Sequence, residues 1–363
     1  MIPRSVDFLK AHEHGISALT CIVGFALDSW ALPSIDHTIT LVVCVAYFTT
    51  AITLLFLSQA IAGKKIRQGL LVRGATLYPL VMQFLFGGLF SVVFVYYFRS
   101  SSLAVSWPLT ILLALFLAGN EIWKKRLEKL EFQIGVLFIL FLFFSIFSVP
   151  LLFGTIGTAI FLFSVGFSIV MMGILLAMLA SVAWGELKEN ALKLFFMLSF
   201  SALVVVGFYA VDILPPIPLV TRTDGVYHSL SRDTSGEYVA SSEKLSVKQK
   251  YFPFLYPAVY HRTPDEPVYF YSAVYAPTVL HAPIVHLWQY RDMDSRSWVT
   301  SSRIEFPING GREEGYRGYS VKQNTTAGPW RVLVQTEDGR TLSRRTFTIV
   351  DVVTPPDTTT GTL

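Results

Sequence analysis

Hydrophobic positions follow two different rhythms along this chain. Up to about residue 214 they come in long unbroken blocks, and from Tyr251 onward they alternate with polar ones. Seven blocks stand out, at 16–33, 39–62, 76–98, 107–123, 134–152, 156–182 and 194–214. Crossing about 30 Å of hydrocarbon takes roughly 20 mostly apolar residues in a helix. Lipid offers the backbone no hydrogen-bond partner, so such segments must be helical. The run "LFILFLFFSIFSVPLLF" (137–153) is the clearest, and Asp28 interrupts the first block. The pattern predicts a membrane all-α bundle of about seven transmembrane helices over residues 1–214.

The prolines Pro215, Pro216 and Pro218 mark the change of texture. Residues 219–250 are rich in Ser and Thr and of mixed charge, which predicts a stalk or irregular linker over 215–250. Strand-like runs then follow at 266–277, 284–291, 297–306, 315–322, 329–336 and 341–350. Asp338-Gly339 between the last two is a hairpin signal, because a primed turn needs positive φ. Trp330, Val332 and Val334 alternate on one strand and Phe347 and Ile349 on the next. Short strands at this spacing predict an all-β, immunoglobulin-like antiparallel sandwich over 251–363, with a disordered tail from about 353.

Composition sharpens this division. The 363 residues are 53% hydrophobic and 15% charged, against about 25% charged in soluble domains. A net charge of +4 gives no basic footprint for nucleic acid. The cysteines Cys21 and Cys44 both lie in apolar blocks, so the polar half has no disulfide framework. Basic residues alternate between loops. The N-terminal tail has Arg4 and Lys10, the second loop Lys64, Lys65, Arg67 and Arg73, the fourth Lys124, Lys125, Arg126 and Lys129, and the sixth Lys188 and Lys193. The intervening loops hold only Arg99. Positive loops stay in the cytoplasm, so the N-terminus is expected there and residues 215–363 on the outer side. No small-x-small cleavage site follows the first block, so it is expected to be a retained helix rather than a signal peptide. The loop "EIWKKRLEKLEF" (121–132) is amphipathic, and Lys124, Lys125, Arg126 and Lys129 are expected to meet anionic lipid headgroups of the bilayer.

Candidate chemistry in the helices is sparse. Asp28, Asp36 and Asp212 sit at helix ends, Glu121 lies beside Lys124 and Lys125, and Gln83, Gln59 and Asn120 are neutral. Such residues form a cation path in some proteins; end-capping and helix bridging are their ordinary uses. No HExxH or GxSxG motif occurs in the spans. His12 and His14 alone do not make a metal site. No catalytic residue, metal or cofactor is expected. In the outer half, "NGGREEGYRGYS" (309–320) has the glycines of a phosphate cradle but no helix after them, so Gly310 and Gly311 read as a turn or bulge. Arg312, Arg317 and Arg331, with Trp288, Trp330, Tyr316 and Tyr319, are candidates for one arginine–aromatic face. Such a face binds a sugar, peptide or anionic lipid, or stiffens a sheet. His286 shares a strand face with Trp288 and is expected to be buried and hydrogen-bonded to backbone; His281 lies five residues earlier.

The run His286-x-Trp288, Gly310-Gly311-Arg312, Gly315-Tyr316-Arg317, Tyr319-Ser320, Gly328-Pro329-Trp330-Arg331-Val332, Thr336, Asp338-Gly339-Arg340 and Phe347 resembles a known pattern. It is that of an uncharacterised bacterial family of multi-pass membrane proteins with a C-terminal β-domain of unknown function. "GFALDSWAL" (24–32), "NEIW" (120–123) and "SVPLLFG" (148–154) resemble the membrane part of such proteins. The resemblance implies a bacterial cytoplasmic (inner) membrane location with a periplasmic C-terminal domain, and no activity. The functional expectation is a non-enzymatic membrane protein whose outer β-domain binds a glycan, peptide or partner protein. The alternatives are a transporter or lipid-handling protein with the β-domain as a lid, and a membrane enzyme using Asp28, Asp36 and His37.

Overall fold

A computed structural model describes residues 38–100, 103–122, 126, 129–234, 236–244, 246–247, 249, 256–277, 280–309 and 315–363. The first apolar block, Asp28, Asp36, His37, Lys124, Lys125, Gly310, Gly311 and Arg312 lie outside the described residues, as do the side chains of Asn120 and Glu121. The chain divides into a helical unit and a β unit, the second comprising Pro215–Leu363 for its main part.

The helical unit contains α1 (Thr38–Ala62), α2 (Tyr78–Ser100), α3 (Leu103–Ile122), α4 (Leu130–Phe153), α5 (Thr158–Glu189) and α6 (Ala191–Ala210). Five of these, all but α3, are long and apolar enough to cross a membrane, and α3 adds the apolar stretch Val105–Gly119. At 1.5 Å per residue α5 would be about 48 Å long, more than a bilayer core needs. Its helical geometry breaks at Ala183 (φ −133°, ψ 33°), just after the apolar block ends. Three hydroxyls of α1 are satisfied locally: Thr49, Thr50 and Thr53 each donate to the carbonyl four residues earlier at 2.8 Å. Burial is uneven. About two thirds of the apolar window of α4 is buried (67%) against 17% for α6, so α4 is a central helix and α6 a peripheral one.

Aromatic rings fill the space around α4. Tyr96 of α2 stacks on Phe147 at 4.7 Å, Tyr97 meets Phe143 edge-on at 5.1 Å, and Phe48 of α1 lies 5.5 Å from Phe141. The Tyr97 hydroxyl donates to the Phe143 carbonyl at 3.0 Å. Polar contacts mark the two ends. Lys193 pairs with Glu131 at 2.6 Å, and Lys65 donates to the Ser181 carbonyl. The α1–α2, α3–α4 and α5–α6 connections therefore share one end. At the other, Thr158 and Tyr209 hydrogen-bond at 2.9 Å.

The β unit has eleven strands among the described residues: β1 (Val220–Tyr227), β2 (Ser229–Arg232), β3 (Tyr238–Glu243), β4 (Ala258–Arg262), β5 (Val268–Tyr275), β6 (His281–Arg291), β7 (Trp298–Asn309), β8 (Tyr316–Lys322), β9 (Gly328–Thr336), β10 (Thr341–Asp351) and β11 (Thr358–Thr362). They form a three-stranded sheet β1-β5-β8, a five-stranded sheet β4-β10-β9-β6-β7 and a small sheet β11-β3-β2. One apolar core joins the first two. It takes Val268, Phe270 and Val274 from β5 and Trp288, Trp330, Val332, Phe347 and Ile349 from the five-stranded sheet. Asp338-Gly339 turns β9 into β10, with Gly339 at φ +86°. Gly318 lies close under the Phe306 ring, which a Cβ there would push aside.

Two expectations are corrected. Residues 215–250 are not a plain stalk, since they contain β1, β2 and β3. Likewise the tail expected to be disordered from about 353 contains β11, which pairs with β3. Both segments are Ser/Thr-rich; all five residues of β11 are exposed, so that strand rests on its backbone pairing with β3. The pairing is also not wholly antiparallel, because β4 runs parallel to β10. That places Arg262 beside Asp351, where the two form an ion pair.

Candidate binding surface on the β-domain

Strand parity decides which face each candidate occupies. Trp288 and Trp330 point inward and are 0% and 2% exposed. The Trp288 Nε1–H donates to Ser320 Oγ at 2.9 Å, and Trp330 Nε1–H to the Thr326 carbonyl at 2.8 Å. Tyr316 packs against the same core. These three residues serve the core and do not form an outer face.

His286 lies beside Trp288 in this interior, but its partners are side chains rather than the expected backbone. Nε2 sits 2.8 Å from Ser272 Oγ and Nδ1 2.9 Å from Ser320 Oγ. The backbone of β6 is engaged on both edges by β7 and β9, so the imidazole is satisfied by serines from the three-stranded sheet. Phe270 and Phe306 flank it edge-on. Burial lowers the His286 pKa to about 3, so this residue is neutral and structural, with no access to a substrate.

Arg317 and Tyr319 face outward from β8. The small sheet meets them there: Arg317 forms an ion pair with Glu237, and Tyr319 lies 5.9 Å from the Tyr238 ring. Tyr238, Tyr271 and Ala273 form a second apolar cluster on that side. Arg331 is on the outer face of the other sheet. The candidate arginines and aromatics are therefore not gathered on one face.

What surrounds Arg331 is a site that its sequence neighbours do not announce. Thr346, Arg331, Gln289 and Thr300 lie in register across β10, β9, β6 and β7. Arg331 Nε–H donates to Gln289 Oε1 at 2.7 Å, and Gln289 Nε2–H to Thr300 Oγ1 at 3.1 Å. The guanidinium lies over the Trp298 ring, 4.3 Å from its centroid. Trp298 reaches this face because of a bulge. Trp288 pairs with Ser302 but Gln289 with Thr300, so Ser301 is the extra residue. Ile304, Phe306 and Ile308 point inward, and the bulge turns the like-numbered Thr300 and Trp298 outward. Burial, and then the neighbouring Arg344, lower the Arg331 pKa to about 10.

A second cluster joins residues far apart in sequence. His228 Nδ1 is 2.5 Å from Glu266 Oε1, and its Nε2 is 3.1 Å from Glu243 Oε1. His261 Nδ1 lies 2.7 Å from Glu243 Oε2, and Glu266 accepts from the Thr263 N–H and hydroxyl at 2.9 and 2.7 Å. Burial opposes ionisation of Glu266, but the His228 and Thr263 hydrogen bonds outweigh it and lower its pKa. Tyr260 stacks on His228 at 4.2 Å, and burial with the Glu266 charge raises its hydroxyl pKa well above a phenol's ordinary value. The chain binds the β4 edge to the small sheet. Among the described residues no three His, Cys, Asp or Glu side chains are placed to hold a metal ion.

In the helical unit, a small apolar pocket is lined by Cys44, Phe48, Leu89, Tyr96, Phe143 and Phe147, among others. Gln83 is half-buried on α2.

No curated protein and no solved structure matches this chain. Residues 281–349, which run from the start of β6 almost to the end of β10 and include the whole Arg331 ladder and Trp298, carry a domain of the family described as Protein of unknown function (DUF2914).

Proposed function

We propose that this chain is a non-enzymatic integral membrane protein of the bacterial envelope. Seven transmembrane helices hold it in the cytoplasmic (inner) membrane, with the N-terminus cytoplasmic and the immunoglobulin-like β-sandwich in the periplasm. There the β-domain binds a glycan, peptide or partner protein. The observation carrying this reading is the placement of charge. Lys65, Lys188, Lys193 and Lys129 belong to connections that share one end of the bundle, while Arg99 belongs to the opposite end. Basic ends stay cytoplasmic, and Lys124, Lys125, Arg126 and Lys129 then face the anionic headgroups of the inner leaflet. All three connections at that end carry Lys or Arg, which is the count that orients a membrane protein.

An anchoring role is favoured over transport by the aromatic packing around α4. The pocket between α1, α2 and α4 is lined by apolar side chains and two tyrosines, and a solute path needs polar lining. The binding role is supported by the outward Arg331–Trp298 arrangement. A photoreactive residue placed at Thr300 of the full chain in intact cells is expected to form an adduct with an envelope component. Absence of any adduct at Thr300 and at Arg344 contradicts the binding role.

A further inference from the structure

We propose that the outer face of the five-stranded sheet is an oxyanion site, with Arg331 and Arg344 as its cationic pair and Trp298 as its wall. This rests on the reading that the β-domain is the binding part of the molecule, and it names the chemistry bound there: a carboxylate or a phosphate group.

The geometry begins with how Arg331 is held. Its Nε–H is committed to Gln289 at 2.7 Å, Gln289 is itself held by Thr300 at 3.1 Å, and its planar face rests on Trp298 at 4.3 Å. Among the described residues the two terminal nitrogens have no acceptor. A guanidinium fixed through Nε and one face presents those nitrogens as a ready fork, the shape that matches carboxylate and phosphate oxygens. Little side-chain freedom is left to lose when an anion docks.

Arg344 pairs with Leu333 and Arg331 with Thr346, so the two arginines are diagonal neighbours on adjacent strands. Five other arginines of this domain are matched to acids, Arg262 to Asp351, Arg303 to Glu305, Arg317 to Glu237, Arg340 to Asp338 and Arg345 to Asp224, while Arg222 and Arg232 lie over the Tyr275 and Tyr238 rings. No carboxylate among the described residues pairs with Arg331 or Arg344. Arg291 flanks the site through its pairing with Trp298, and the nearest acid on β7, Glu305, is held by Arg303 at 2.8 Å. Two like charges on one face repel unless an anion lies between them. Thr300 and Arg344 are exposed, so the face is open to a ligand.

A purely structural role would need only the Trp298 stack and the Gln289 bond. It leaves the second arginine and the open fork without purpose, and Arg344 is therefore the discriminating residue. It touches neither Trp298 nor Gln289 in the described contacts, so Arg344→Gln is expected to leave the fold intact.

The test uses the full chain in detergent at low salt, titrated calorimetrically with inorganic phosphate, with glucuronate, and with uncharged glucose. Wild type is expected to bind at least one of the two anions and not glucose; which anion binds tells phosphate-bearing from carboxylate-bearing ligands. Arg344→Gln and Arg331→Lys are each expected to weaken that binding by about tenfold, the effect of losing a charge-assisted contact or the fork geometry. An unchanged urea midpoint for Arg344→Gln separates lost binding from lost folding. Equal behaviour of wild type and Arg344→Gln toward both anions, including no binding by either, overturns the proposal. That result leaves the membrane topology untouched, because topology is read by an independent reporter.

Discussion

Acidification from about pH 6.5 toward pH 3 is expected to destabilise the β-domain through His286. The imidazole is buried, and its folded pKa of about 3 lies below the ordinary 6.5. Between these values the unfolded chain takes up a proton that the folded one refuses. The stabilisation is therefore complete above the unfolded pKa and is lost as pH falls, at about 1.4 kcal/mol per pH unit and up to about 4–5 kcal/mol in all. Glu266, whose folded pKa is lowered, contributes in the same direction only below about pH 4.5, where its unfolded form begins to protonate. The window between pH 6.5 and 4.5 thus isolates the histidine from that carboxylate. The measurement is the urea midpoint of the aromatic near-ultraviolet signal, for wild type and His286→Asn, at several pH values in this window. The wild-type curve is expected to be the steeper by about one proton's worth of slope. Parallel curves would show that the imidazole is accessible or paired differently.

The second large effect separates the inward from the outward tryptophan. Trp288→Ala is expected to cost about 3–5 kcal/mol, the usual range for emptying a large aromatic site in a core. Trp288 is fully buried, packs near Phe270, Trp330 and Phe347, and donates to Ser320. Trp298→Ala, on the open face, is expected to cost about 1 kcal/mol or less, in the range of an exposed cation–π contact. It should nevertheless weaken anion binding, because it removes the support of the Arg331 guanidinium. Chemical denaturation of both variants, read beside the same calorimetry, checks the pair. Similar stability losses would mean that the β7 bulge does not turn Trp298 outward.

Much of the architecture was legible because it rests on side-chain pattern. Long apolar blocks anticipated α1 to α6 closely, and the alternation of Trp330, Val332 and Val334 anticipated an inward face on β9. The same alternation already put Arg331 on the opposite face from Trp330. A single surface containing both was therefore physically inconsistent, and strand parity was the signal that separates them. Trp298 was harder to place, since its facing depends on one unpaired residue, Ser301, and a bulge leaves little trace in a single strand. Strands β1 to β3 and β11 were missed because Ser/Thr-rich sequences resemble linkers. Their partners supply the backbone hydrogen bonds that hold them, and one-dimensional pattern does not show a partner. The His228–Glu243–His261–Glu266 chain was hidden for the same reason: its members meet only when the small sheet folds against the β4 edge.

In the proposed topology the helical unit leaves the β-domain outside the cytoplasm. Alkaline phosphatase and green fluorescent protein, each fused after Leu363 of the full chain in a Gram-negative host, test this directly. Phosphatase activity with a dark fluorescent fusion is the predicted outcome. Bright fluorescence with inactive phosphatase would place the arginine face in the cytoplasm and contradict the account.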